Sequence, residues 1–262
     1  MKYLTGNIYR QINTVLAGAM FIINTNGQTV EAGKSYKLIV SAGKYSISDD
    51  HLLMTAAKIN SKGLTWSYTN NDMYQRKSIT VGFEAGDGNY YTNHVKETGF
   101  LIEYKKAYSI IKNRNSRWNN YTGYSIKTNS QFIRSGDQYS WVSMNALSFY
   151  NSLTYSRKRS AFSFDLSIPL TGFATRPEAD NEYRGSLNDM LYNSLNNPVF
   201  TSIHNHKEVN VSFQYLNSVS NRLIFSLGIS YLNREITAGE SSFNEQGYLF
   251  QTGLSFLLRE RK

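Results

Sequence analysis

Residues Arg222–Leu232 read RLIFSLGISYL. In an extended chain the side chains alternate between two faces, so Leu223, Phe225, Leu227, Ile229 and Tyr231 share one side. The other side carries Ile224, Ser226, Gly228 and Ser230. A strand that turns one face to water usually places larger polar or charged residues there. Here the polar face is small and uncharged, and the apolar face is large and aromatic. That combination fits a sheet whose large face meets hydrocarbon and whose small face meets a crowded interior.

The same alternation recurs. EVNVSFQYL sets Val209, Val211, Phe213 and Tyr215 against Asn210, Ser212 and Gln214. AFSFDLSIPL sets Phe162, Phe164, Leu166, Ile168 and Leu170 against Ser163, Asp165 and Ser167. YLFQTGLSFLL sets Tyr248, Phe250, Leu254, Phe256 and Leu258 against Gln251, Gly253 and Ser255. Further strands are expected at Tyr36–Ile47, Leu64–Tyr68, Ser78–Glu84, Gly99–Tyr104, Tyr121–Thr128 and Trp141–Tyr155. The total is about ten, within a range of eight to twelve, each able to cross a bilayer when tilted. The connections sort by parity. TNND, SRKR and NSVSN are short and IKNRNSR somewhat longer, whereas Ser48–Gly63, Gly86–Lys96, Gln131–Gln138, Gly172–Lys207 and Arg234–Glu245 are long. Short turns on one rim and long loops on the other are expected of an outer-membrane barrel, with the turns in the periplasm.

The fold expected is therefore all-β, a single up-and-down antiparallel transmembrane β-barrel with short periplasmic turns and long outer loops. The chain resembles small bacterial outer-membrane barrels over about residues 34–262, by pattern rather than by motif. Composition agrees. The 262 residues include 20 Tyr, 14 Phe, 3 Pro and no Cys, which excludes disulfides and thiolate chemistry. A mean hydropathy of −0.44 argues against helical spans but suits a barrel with a polar lining. The net charge of +9 is scattered over strand ends and turns, with no basic helix or zinc-finger spacing. Anionic headgroups account for it more simply than nucleic acid does.

Residues 1–27 have the layout of a signal peptide, with Lys2 and Arg10, an apolar Val15–Ile23, and small Thr25 and Gly27 before Gln28. A small residue followed by Gln resembles the exported proteins of Bacteroidota. The barrel domain then covers 28–262. Within it, Leu187, Leu191 and Leu195 recur at helical spacing, with Ser186 and Asp189 as a capping pair and Pro198 beyond. A short helix at about 186–196 is expected in the longest outer loop.

All four histidines, His51, His94, His204 and His206, fall in expected outer loops, with Asp49, Asp50, Asp87, Glu178, Asp180 and Glu182 near them in sequence. A His beside a carboxylate can serve as a general base, so His94, His204, His206 and Asp87 are the catalytic candidates. In strand number and in the placement of His and Asp the chain resembles the omptin proteases, but no omptin motif is matched and no catalytic residue carries over. Ser202-Ile203-His204 lacks the flanking pattern of the outer-membrane phospholipases. In an extended HNH segment His204 and His206 fall on one side, as a pair of metal ligands would, but no third ligand is evident, so no metal or cofactor is expected. Lys37, Glu84, Glu103, Lys105 and Asp165 are expected to point into the lumen, as ion pairs that stiffen it or as a constriction for small solutes. The partners expected are outer-membrane lipid and lipopolysaccharide, with a surface ligand or small solute besides. The localisation expected is the bacterial outer membrane, with a non-enzymatic surface role ahead of a narrow pore or a rim hydrolase.

Overall fold

The structure, a computed structural model, describes residues 33–50, 52–72, 74–91, 93–110, 117–136, 138–176, 198–238 and 241–258. The expected signal segment and the expected helix at 186–196 lie outside the described residues. The strands are β1 (Gly33–Asp49), β2 (Leu53–Asn71), β3 (Gln75–Tyr90), β4 (Asn93–Ser109), β5 (Trp118–Ser135) and β6 (Gln138–Arg157). They continue with β7 (Ser160–Thr175), β8 (Val199–Ser202), β9 (His206–Ser218), β10 (Leu223–Ala238) and β11 (Ser241–Leu258). Ten of these are long and pair antiparallel with their chain neighbours, β7 pairing β9 directly. β11 returns to β1 along Lys34↔Leu258 to Asp49↔Phe243, which closes the sheet into a barrel. The short β8 covers the upper edge of β7. Closure leaves no open edge at membrane depth, where an unpaired backbone group costs several kcal/mol.

All ten expected strands are present, and the outward faces of β7, β9, β10 and β11 are the ones read from the alternation. Phe83, Phe250 and Phe256 are each more than half exposed on the outer surface, whereas Ser226 and Ser255 are buried inside. On β10 the apolar outward run from Leu223 to Tyr231 covers about 27 Å of strand, or about 20 Å of height once tilted. Aromatic pairs mark both edges of this belt. Tyr36 stacks on Trp66 at 5.8 Å and Trp118 meets Tyr155 at 4.8 Å near the chain ends, and Tyr231 meets Tyr248 at 4.9 Å on the other edge. Amphipathic rings at these levels are what headgroup regions select.

Strand length departs from expectation. β2 begins at Leu53 rather than Leu64, β3 runs on to Tyr90, and β4 begins at Asn93. Most of the segments expected as long outer loops are therefore strand. On that rim only the 176–205 connection is long, and β1–β2, β3–β4, β5–β6 and β10–β11 are joined by two or three residues. The reason is a reversal of polarity along each strand. On β1, Tyr36, Leu38 and Val40 face out below, whereas above them Tyr45 and Ile47 face in and are buried. On β2, Leu64 and Trp66 face out below, whereas Lys58 and Lys62 face out above and Ala57 and Ile59 are buried. Above the bilayer the outward face meets water and the inward face becomes a conventional core. The backbone ladder continues, but the pattern shifts by one residue.

That upper core crosses the barrel. Ile47, Ile59, Val95, Ile133, Val142, Met144, Ala174, Ile236 and Phe243 belong to one buried cluster, drawn from strands on opposite walls. Close approach of β1 and β11 helps to build it: the Tyr45 ring lies over Gly247, where any side chain would collide with it.

Candidate functional site

Two polar layers lie inside the barrel, one just under the apolar cluster and one at the depth of the lipid belt. The upper layer is a buried ionic network. Arg234 on β10 donates from Nε to Glu208 Oε2 at 3.0 Å and from Nη1 to Gln131 Oε1 at 3.1 Å, and it pairs with Glu245 Oε2 at 3.1 Å. Lys127 on β5 pairs with Glu208 on β9 across the lumen. Gln131 Nε2 donates to Glu97 Oε1 at 2.9 Å and to Glu245 Oε1 at 3.0 Å. Ser61 donates to Glu84. β4 and β5 are neighbours, as are β9, β10 and β11, but the two groups stand apart in the sheet, so the network ties one to the other through the interior. In a low-dielectric site such charges are tenable only when paired and hydrogen-bonded.

Above it, a second link spans the lumen. Arg176, directly after β7, pairs with Asp49 on β1 at 2.8 Å, and Ser140 on β6 donates to the other Asp49 oxygen at 2.8 Å. The Arg176 guanidinium also lies 5.8 Å from the Phe243 ring centroid. Burial pulls the Arg176 pKa below the usual arginine value, opposed by Asp49 and then Asp50.

The lower layer surrounds a cavity of about 380 Å³. Lys37, Glu84, Glu103, Lys105 and Asp165 all line it. Lys105 pairs with Glu103 at 2.9 Å and sits 4.9 Å over the Tyr150 ring. Asp165 accepts from Tyr150 at 2.8 Å, Ser163 at 3.3 Å and Ser212 at 3.5 Å. Lys37 donates to Gln214 at 2.6 Å, and Arg76 donates to Ser152 at 3.0 Å. The lining reaches Gly33, Asn71 and Leu257 at the rim of the short turns and ends upward at Tyr45, Arg234 and Glu245.

The catalytic candidates are not gathered. His94 is exposed at the start of β4, and Asp87 faces out on β3 two register positions from it, with no hydrogen bond between them. His204 is exposed in the turn between β8 and β9, where its backbone amide, not its ring, meets Ser202 Oγ at 3.4 Å. His206 is buried in the lumen, its Nε2 3.4 Å from Glu208 Oε2. The two imidazoles of the HNH segment therefore lie in different places, one in solvent and one in the interior. His51, Glu178, Asp180 and Glu182 fall outside the described residues. Among the described residues no three His, Asp or Glu side chains are grouped to hold a metal. A general base needs a path to its substrate, and the His206–Glu208 pair is enclosed and already committed to Lys127 and Arg234.

Apart from Glu84, sequence reading did not find the upper network. Its signal was a charge at the parity of buried apolar residues, as with Arg234 between Leu232 and Ile236, or Glu245 after Phe243.

No family model matches the chain, and no curated protein matches it. Solved structures do. The outer-membrane protease OmpT from Escherichia coli is similar with a TM-score of 0.54 at 6% identity, covering 88% of this chain and 98% of its own. The β-domain of the Bordetella autotransporter BrkA aligns with a TM-score of 0.44 at 10% identity, over 86% of this chain and all of that one (100%). Neisserial surface protein A aligns with a TM-score of 0.37 at 12% identity, over 86% and 99%. At such identities the likeness is one of fold. With the apolar belt and the closed ladder, the likeness in fold to OmpT makes this chain a membrane-spanning antiparallel β-barrel of the kind found in bacterial outer membranes.

Proposed function

We propose that this protein acts at the cell surface as a sealed, non-enzymatic barrel, with its outer extension rather than its lumen carrying its interactions. The observation that supports this reading is the buried cluster joining Ile47 and Ile59 on one wall to Met144 and Ala174 on the other, above a cross-lumen ionic network. A solute would have to displace both layers to pass. Purified protein in planar bilayers is expected to give no conductance steps. Regular steps from the folded protein would contradict the sealed reading and restore the narrow pore.

Lipopolysaccharide is the partner this surface fits. Lys44, Lys58 and Lys62 project outward from β1 and β2 directly above the belt, with Lys62 one outward step past Leu64. Among the described residues none of the three has a carboxylate within ion-pair distance, and this is the level of the outer-leaflet phosphates. Each such lysine near an anionic surface contributes about 1 kcal/mol. Lipopolysaccharide is expected to raise the unfolding temperature of the wild type over phosphatidylcholine alone, and replacing all three lysines by glutamine to remove at least half of that gain. An undiminished gain in the triple variant would rule out this contact. The junction of Gly27 and Gln28 supports a source among Bacteroidota as part of the same proposal.

A further inference from the structure

Charge is divided unevenly between the two ends of the barrel. Where β1 begins and β11 finishes, the connections carry Lys112, Arg114, Arg117, Lys158, Arg159 and Arg222 against one carboxylate, Asp72. Those at the opposite end hold mostly Asp and Glu, with Asp50, Asp137 and Glu240 among them. The long 176–205 connection lies at that opposite end, so the basic end is the periplasmic one. There the membrane presents phospholipid phosphates.

Two further cations carry this charge onto the lipid-facing wall. Lys77 on β3 and Lys106 on β4 are register partners, and both stand at the outward parity, with Ile79 and Ile102. Their chain neighbours Ser78 and Lys105 line the lumen instead. Among the described residues neither lysine has a carboxylate within ion-pair distance. The carboxylates nearest in sequence are already engaged. Glu103 pairs with Lys105 at 2.9 Å inside the barrel, and Asp72 accepts from the backbone amides of Tyr74 and Gln75 at 2.7 and 2.5 Å. Like charges set directly opposite each other destabilise a sheet. A cation on the lipid face is likewise unfavourable except near an interface. An anion between the two ammonium groups relieves both penalties.

The flanks supply the rest of a headgroup site. Tyr108 is half exposed, and its ring centroid lies 5.3 Å from the Lys106 ammonium. Tyr124 is the β5 register partner of Lys106, and Asn70 is the β2 partner of Lys77. Asn70, Lys77, Lys106 and Tyr124 thus form one outward row of hydrogen-bond donors across four strands. Directly beyond the row, Ile79, Ile102 and Ile126 are exposed in the apolar belt, where acyl chains lie.

We infer that Lys77 and Lys106 form a docking site, on the outer wall of β3 and β4, for the phosphate of an anionic phospholipid in the periplasmic leaflet. The occupant is a lipid because the row is continuous with the belt, a surface that only membrane molecules reach. The site goes beyond the sealed-barrel reading and uses the opposite leaflet from Lys44, Lys58 and Lys62, so it stands or falls independently of both.

The test is native mass spectrometry of the folded barrel in detergent with dimyristoylphosphatidylglycerol, and with dimyristoylphosphatidylcholine as the zwitterionic control. The wild type is expected to prefer the anionic lipid by about fivefold or more, the gain that even one lysine gives at an anionic surface. Lys77→Gln combined with Lys106→Gln is expected to bring the preference below about twofold. Lys77→Arg with Lys106→Arg should keep it, which separates charge from fold, and so should Lys158→Gln with Arg222→Gln in the turns. The inference is overturned by a wild type without preference, by a preference that survives the double glutamine change, or by one lost in the arginine pair or the turn variant. Glycerol 3-phosphate, which has no acyl chains, should not displace the lipid at equal concentration. Displacement would make the ligand a soluble phosphate and overturn the inference as well.

Discussion

Arg234→Met is expected to destabilise the barrel by about 3–5 kcal/mol, the cost of removing one partner from a buried ion pair. Arg234 bridges Glu208, Glu245 and Gln131 at 3.0 to 3.1 Å, and it is 3% exposed. Without it, Glu208 keeps Lys127, but Glu245 and Glu97 share only the Gln131 amide within the described network. The loss should appear as a lower urea midpoint for unfolding from lipid vesicles. Because the penalty is an uncompensated charge rather than a lost contact, Arg234→Met combined with Glu245→Gln should recover a large part of it. If the double variant were as unstable as the sum of the two single changes, the network would not be the coupled unit described here.

The second large effect concerns the outer face. Leu227 lies mid-belt on β10, flanked by Tyr215 on β9 and Thr252 on β11. Leu227→Arg is expected to cost about 2–4 kcal/mol, as a cation does on the lipid face near the midplane of a barrel. Asn233→Arg, on the same face but above the belt, should change stability by no more than about 0.5 kcal/mol, as surface substitutions usually do. The contrast is read from the same vesicle unfolding assay. Equal costs at the two positions would mean that both sites see the same solvent.

Those two substitutions sit on either side of the boundary that limited what the sequence could reveal. Along β9 and β10 the outward apolar run is unbroken and on β11 Thr252 alone interrupts it, because hydrocarbon favours apolar side chains, and the faces could be read directly. The inward charges Lys37, Glu103 and Asp165 were legible for the same reason, since they stand at the parity opposite Leu38, Ile102 and Phe164. Past the belt the requirement reverses. Lys44, Ser46 and Ser48 face out while Tyr45, Ile47 and Asp49 face in, so the alternation continues with its phase inverted. A change of phase resembles the end of a strand, and β2, β3 and β4 were accordingly read as too short. The ionic network was obscured in the same way. Glu97, Gln131, Arg234 and Glu245 all stand at the borders of segments expected to be loops, where a charge carries no message. Only the pairing of distant strands shows that they meet.

The central claim is that lipid covers the outward face of β10 up to Tyr231 and water covers it beyond. The chain has no cysteine, so a nitroxide can be attached to single cysteines introduced from Leu223 to Glu235 in protein folded into vesicles. Labels at 223, 225, 227, 229 and 231 should be relaxed by oxygen dissolved in the bilayer, those at 233 and 235 by a water-soluble nickel complex, and those at even positions weakly by either. Ready access of the nickel complex to positions 225, 227 and 229 would contradict the account.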